Sequence, residues 1–199
     1  GFDQAFVRFY KELPGKYSRN EIFTFTLSCS LIFGIIISTV ILILNKFVSL
    51  QITGTESFLI SGFLSVSLIA NIVLKFLNIF SRMEQNIILY TIQAVTIVIV
   101  NKVFFVVVAL WNPNHQNAIG MMTLGYVLTS IVFLYIKRDS FAKLEFFDKA
   151  SASALVKFGL PLIPVTALSW LNNSLPQFML KAFVDYASIG IYTNAVAIA

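Results

Sequence analysis

The sequence predicts an all-α protein, a polytopic bundle of membrane helices, and three observations carry that expectation. Of its 199 residues, 58% are hydrophobic and only 12% are charged, about half the charged share of an ordinary soluble domain. The mean hydropathy is +0.85. The apolar residues are also gathered into blocks of roughly 20, the length a helix needs to cross the hydrocarbon core, rather than into the short alternating runs of a sheet.

Those blocks place spans at Ile22 to Leu44, Phe58 to Leu77, Ile87 to Trp111, Ala118 to Ile136 and Phe158 to Phe183, with a sixth starting near Tyr186. A chain that opens on Gly1 and stops at "YTNAVAIA" inside an apolar segment reads as a piece of something longer. Orientation follows from the basic residues, which cytoplasmic loops retain. The N-terminal arm holds Arg8, Lys11, Lys16 and Arg19; the second-to-third connection holds Lys75 and Arg82; the stretch after Ile136 holds Lys137, Arg138, Lys143, Lys149 and Lys157. The alternate connections hold only Lys46 and Lys181. The arm is therefore expected in the cytoplasm. The net charge of +5 then reflects topology and anionic lipid headgroups, and no nucleic-acid partner is expected.

In the first span Thr26, Ser30, Gly34 and Ser38 fall at intervals of four, a small-residue stripe suited to close helix packing. Cys29, the single cysteine, has no disulfide partner and is read as packing. In the second span Asn71, Lys75, Asn78 and Arg82 share one helical face. Its inner end should be wet or cavity-facing.

The third span carries Lys102. Trp111 is the natural interface anchor, and Lys102 lies roughly 13 Å below it, near the bilayer middle. A lysine there costs about 2.5 to 3.5 kcal/mol to insert even on the lenient scale, so it should face protein or water and have a partner. Thr91 and Ala109 share its face, which suggests a mildly polar lumen. All nine acidic residues lie outside or at the ends of the spans. The partner is then a carboxylate from chain beyond these helices, an anionic ligand, or none, with the lysine neutral.

The fourth span follows "NPNHQN", where His115, the sole histidine, reads as a solvated loop residue. The stretch 137–157 is long enough to join two groups of helices, and Phe141, Leu144 and Phe147 within it suit a short surface helix. The organisation expected is thus 1–136 as part of an N-terminal lobe (an arm and four membrane helices), 137–157 as a cytoplasmic inter-lobe connection, and 158–199 as the start of a C-terminal lobe. The fifth span contains Pro161, Pro164 and Pro176, and should be kinked or broken. Asn172 and Asn173 stand just ahead of Pro176, in the manner of the amides that broken transporter helices carry near the midplane. There is no Gly-rich phosphate loop, no histidine pair and no cysteine pair, so no catalytic residue, metal or cofactor is assigned.

Three stretches, "GFDQAFVRFYKE", "SRMEQNIILY" and "LVKFGLPLIPVTALSWLNNS" with "VDYASIGIYTNAVAIA", resemble the polysaccharide (O-antigen and capsule repeat-unit) flippases of the multidrug/oligosaccharidyl-lipid/polysaccharide exporter superfamily. The resemblance implies a fragment of a two-lobed transporter of about twelve to fourteen helices in the bacterial cytoplasmic membrane, moving a polyprenyl-diphosphate-linked oligosaccharide to the outer leaflet by alternating access, and not an enzyme. Membrane lipids and other polysaccharide-assembly proteins are the further partners it implies. Arg8 matches the arginine of the opening motif and is expected at a headgroup or gate position. Lys102, Asn71, Lys75, Asn172 and Asn173 complete the expected substrate-binding set. Where relatives often have Asp-Arg after the serine of the proline-containing helix, this chain has Pro176 and Gln177, so a charged contact from that helix is not expected. The competing readings are a multidrug exporter, which would use membrane-embedded acids, a polysaccharide polymerase or ligase, which would need a sizeable outer loop, and a membrane scaffold.

Overall fold

The computed structural model describes residues 1–12, 18–111, 114–141, 149–180, 183–184, 188, 192 and 195–196. It is all-helical: α1 (Phe2–Glu12), α2 (Arg19–Ile43), α3 (Asn45–Thr53), α4 (Phe58–Met83), α5 (Ile87–Trp111), α6 (His115–Ile136) and α7 (Lys149–Leu180), with a 3-10 turn at Arg138–Ser140. Among the described residues, five helices are long and apolar enough to cross a membrane: Arg19–Ile43, Phe58–Met83, Ile87–Val108, Gln116–Ile136 and Ala152–Pro176. The chain is a multi-pass membrane protein.

Local chemistry sets several helix ends. Ser18 caps α2 through its hydroxyl, which accepts from the Glu21 amide, while the Glu21 side chain reaches back to the Ser18 amide. This is the reciprocal box that "SRNE" announces. Asn114 caps α6 by accepting from the Gln116 amide. Gly54 closes α3 at φ 70°, the left-handed position that glycine tolerates best. The α3 helix itself was expected only as an outer connection.

The bundle centres on α4, which packs against α2, α5 and α6, with α5 also against α6. Hydroxyls stitch the contacts. Ser38 and Ser65 each donate to the other's carbonyl at 3.3 Å, and Thr123 of α6 donates to the Phe63 carbonyl at 3.2 Å. Thr26, Gly34 and Ser38 are buried, so the small-residue stripe is a packing surface.

The N-terminal arm, expected in the cytoplasm, is α1. It is an amphipathic helix lying antiparallel to α2, with Phe2 beside Phe33 (5.7 Å between ring centres), Phe6 beside Phe23 (5.9 Å) and Tyr10 under Arg19 (4.9 Å). Its buried face, Phe2, Ala5, Phe6 and Tyr10, sits in the core with Phe23, Leu77, Phe80 and Leu155. The proline-containing segment, expected to be kinked or broken, is one continuous helix: α7 runs from Lys149 to Leu180 with Pro161, Pro164 and Pro176 inside it. In apolar surroundings a break would strand several backbone groups at a few kcal/mol each, so the chain loses only the bonds that proline removes and stays helical. The helix also begins well ahead of Phe158. Tyr186, where a sixth span is expected to begin, and 142–148, which hold most of the expected surface helix, lie outside the described residues.

Candidate functional site

A groove of about 840 Å³ runs along the polar face of α4, lined by Ser67, Asn71, Lys75 and Asn78 and walled by Ala94 and Ile97 of α5. The spacing of these side chains places them on one helical face, and the packing of α5 beside α4 turns that face into a concavity. Asn71 donates to the Ser67 carbonyl at 2.9 Å, and Asn78 reaches the Tyr90 carbonyl at 3.5 Å. Each amide keeps its oxygen as a further acceptor.

Lys75 sets the electrostatics of the groove. It lies eight residues before Met83, so it stands about 12 Å above the basic end of α4. Its ammonium pairs with Asp3 of α1 at 2.7 Å, with the Asp3 side chain 16% exposed and that of Lys75 57% exposed. The other Asp3 oxygen accepts from the Gly1 backbone nitrogen at 2.7 Å. Asp3 also lines a second depression, of about 310 Å³, with Gln4, Val7, Arg8, Ile79 and Arg82. The Asp3–Lys75 pair thus joins the wall of one concavity to the wall of the other.

Arg8 is held from two sides. Its Nε donates to both carboxylate oxygens of Glu12 at 3.1 and 2.9 Å, and its guanidinium stacks 4.5 Å from the ring centre of Phe158 in α7. The same junction is sealed where Phe2 lies on Gly159. A Cβ at Gly159 would come within 2.7 Å of the Phe2 ring, so that approach depends on the absence of a side chain. Through α1, α7 is tied to the helices that form the groove.

The remaining expected site residues are not gathered there. Lys102 lies on the exposed face of α5, while Gln93, Asn101 and Val108 turn inward. It stands about 80° around the helix from Ala94 and about 140° from Ile97. Val95, Val98, Ile99 and Val106, all about half exposed, surround its position on the helix, so the small, mildly polar face expected for it is mainly branched aliphatic. Among the described residues no carboxylate pairs with it. Asn172 is exposed on α7, about 20 Å along the helix from Gly159. The side chain of Asn173 lies outside the described residues.

Sequence reasoning missed Asp3, whose partner is distant in the chain; Phe2, Phe6 and Tyr10 at spacing four are the signal that points to an amphipathic helix there. It also missed a polar pocket of about 520 Å³ at the basic end, formed by Tyr10, Arg19, Asn20, Glu84, Asn86 and Lys137. There Lys137 is paired tightly with Glu84 and lies 5.2 Å from the Phe80 ring centre. The Tyr10 hydroxyl is buried without a hydrogen-bond partner among the described residues, and burial pushes its pKa up. At the opposite end an apolar depression of about 460 Å³ lies between Phe63, Val108, Trp111, Gly120 and Leu124. Among the described residues no group of three or more His, Cys, Asp or Glu side chains could hold a metal ion.

The arrangement suits a ligand that is both anionic and rich in hydroxyls. Amides and hydroxyls along α4 offer donors and acceptors for a polyol, and Lys75, Arg82 and Arg8 offer charge toward the basic end. A family described as "Polysaccharide biosynthesis protein" matches the chain over residues 1–199. No curated protein and no solved structure matches the chain.

Proposed function

The chain belongs to the polysaccharide biosynthesis protein family, and from that premise we propose that it forms part of a flippase, which carries a polyprenyl-diphosphate-linked oligosaccharide across the bacterial cytoplasmic membrane by alternating access. The observation that carries the reading is the convergence of Asn71, Lys75 and Asn78 on one groove within a membrane helix. Polar side chains in a span cost free energy unless they serve a cavity or a partner. The glycan would lie along the Ser67–Asn71–Asn78 strip. The diphosphate would lie toward Lys75, Arg82 and Arg8, where ammonium and guanidinium groups give charge-assisted bonds to phosphate oxygens.

Lys102 belongs to this proposal as a cation whose partner comes from outside these helices, either cargo or another part of the protein. Asn172 and Asn173 belong to it as the edge of a second wall. The role is transport and not catalysis, and the drug-exporter alternative loses ground because none of the side chains lining the groove is a carboxylate.

The test is Lys75→Met in the intact protein, with surface glycan and membrane abundance measured together. Export should be lost while the protein remains at normal level. Normal export with the variant present would refute the assignment of the groove.

A further inference from the structure

The groove cation is neutralised by a group from another helix. Lys75 projects from α4, more than half exposed, whereas Asp3 is held on the buried side of α1. An anionic group cannot take the full field of Lys75 while the Asp3 carboxylate sits 2.7 Å from the same nitrogen. Two anions competing for one ammonium are thermodynamically antagonistic: whatever occupancy of one does to the other's affinity is returned in equal measure.

Asp3 is also not an isolated side chain. It sits on a helix whose next turn holds Phe6 against Phe80 and whose Phe2 is seated on Gly159 of α7. Arg8, on the same helix, stacks on Phe158. Loss of the Asp3–Lys75 pair therefore weakens the hold of α1 on α4 without touching its contacts with α7. We infer that Asp3 is a positioning residue for transport: a resident counter-anion that phosphate on the cargo must displace from Lys75, so that loading the groove loosens α1, and with it α7, from α4. The inference rests on the transport reading above and adds its coupling step.

The signature is a split between binding and turnover. Asp3→Asn keeps the shape of the side chain and removes the competing charge. It should lower the half-saturating concentration of farnesyl diphosphate, used as a short isoprenyl diphosphate probe on the purified intact protein, by about three- to tenfold. The same variant should export less glycan in cells, because binding no longer changes the α1–α4 contact. Asp3→Glu should restore both values toward wild type. A purely structural role for Asp3 would not tighten binding, so unchanged or weaker binding in Asp3→Asn overturns the inference.

A second measurement leaves Asp3 in place and guards against a variant that fails to fold. Cysteines substituted for Gln4 and Ile79, which line the same depression, should cross-link more slowly when farnesyl diphosphate saturates the protein. An unchanged rate overturns the inference as well. Failure of the transport reading has a different mark: Lys75→Met would then leave probe binding unaltered. If Lys75→Met abolishes binding and Asp3→Asn does not strengthen it, only the displacement step is lost.

Discussion

Ser38 of α2 and Ser65 of α4 exchange hydroxyl-to-carbonyl hydrogen bonds, each 3.3 Å. The exchange lets two membrane helices approach as closely as serine allows. One turn away, a Cβ at Gly34 would come within 2.5 Å of the Ile72 Cδ1. Packing at such a seam comes from backbone proximity and dispersion, because lipid removes the usual hydrophobic drive between helices.

That seam predicts an asymmetry. Ser38→Ala should cost little, on the order of 0.6 kcal/mol, since interhelical hydroxyl bonds are weak in membranes. Gly34→Leu should cost about 1–3 kcal/mol or more by overpacking against Ile72 and Leu68. Thermal unfolding of detergent-purified variants, followed by loss of the monodisperse peak, distinguishes the two; equal losses would argue against the close seam.

Glu84 and Lys137 tie the ends of α4 and α6 together, with Lys137 only 11% exposed. Glu84→Gln should therefore destabilise by about 1–3 kcal/mol, much of it from leaving a poorly hydrated ammonium without its carboxylate. The Glu84→Leu/Lys137→Met double variant should be less damaged than either single one. A double-mutant cycle on unfolding free energies measures the coupling, and strict additivity would show that the pair is idle.

For Lys102 the prediction concerns insertion and transport separately. Lys102→Met removes a charge whose midplane insertion costs about 2.5–3.5 kcal/mol, so membrane abundance should hold or rise. Glycan export should nevertheless be abolished if the lysine meets cargo. Quantitative membrane blots beside surface-glycan blots test both, and normal export would remove Lys102 from the binding set.

Arg8 should be hard to replace. Arg8→Lys keeps the charge and loses the planar stack on Phe158 and the two-oxygen contact with Glu12. Its export defect should be intermediate between wild type and Arg8→Ala. Phe158→Leu should reproduce the part due to stacking, and an Arg8→Lys variant with full export would leave only the charge relevant.

Much of the scaffold was legible in the sequence because its causes are local. Block length located α2, α5 and α6 to within a few residues and the start of α4, which runs on past Leu77 to Met83, and spacing of four identified the stripe that meets α4. Spacing alone also put Asn71, Lys75 and Asn78 on a shared face. Tertiary structure decided what each face meets, and that is where the candidate site took its form. Asp3 and Lys75 come together only when α1 folds back along α2 onto α4. Lys102 is turned from the groove by the way α5 packs on α6, and α7 stays helical because apolar surroundings penalise a break more than proline does. Helix formation is set by neighbours in the chain, whereas an ion pair between helices depends on a docking angle that no linear pattern encodes.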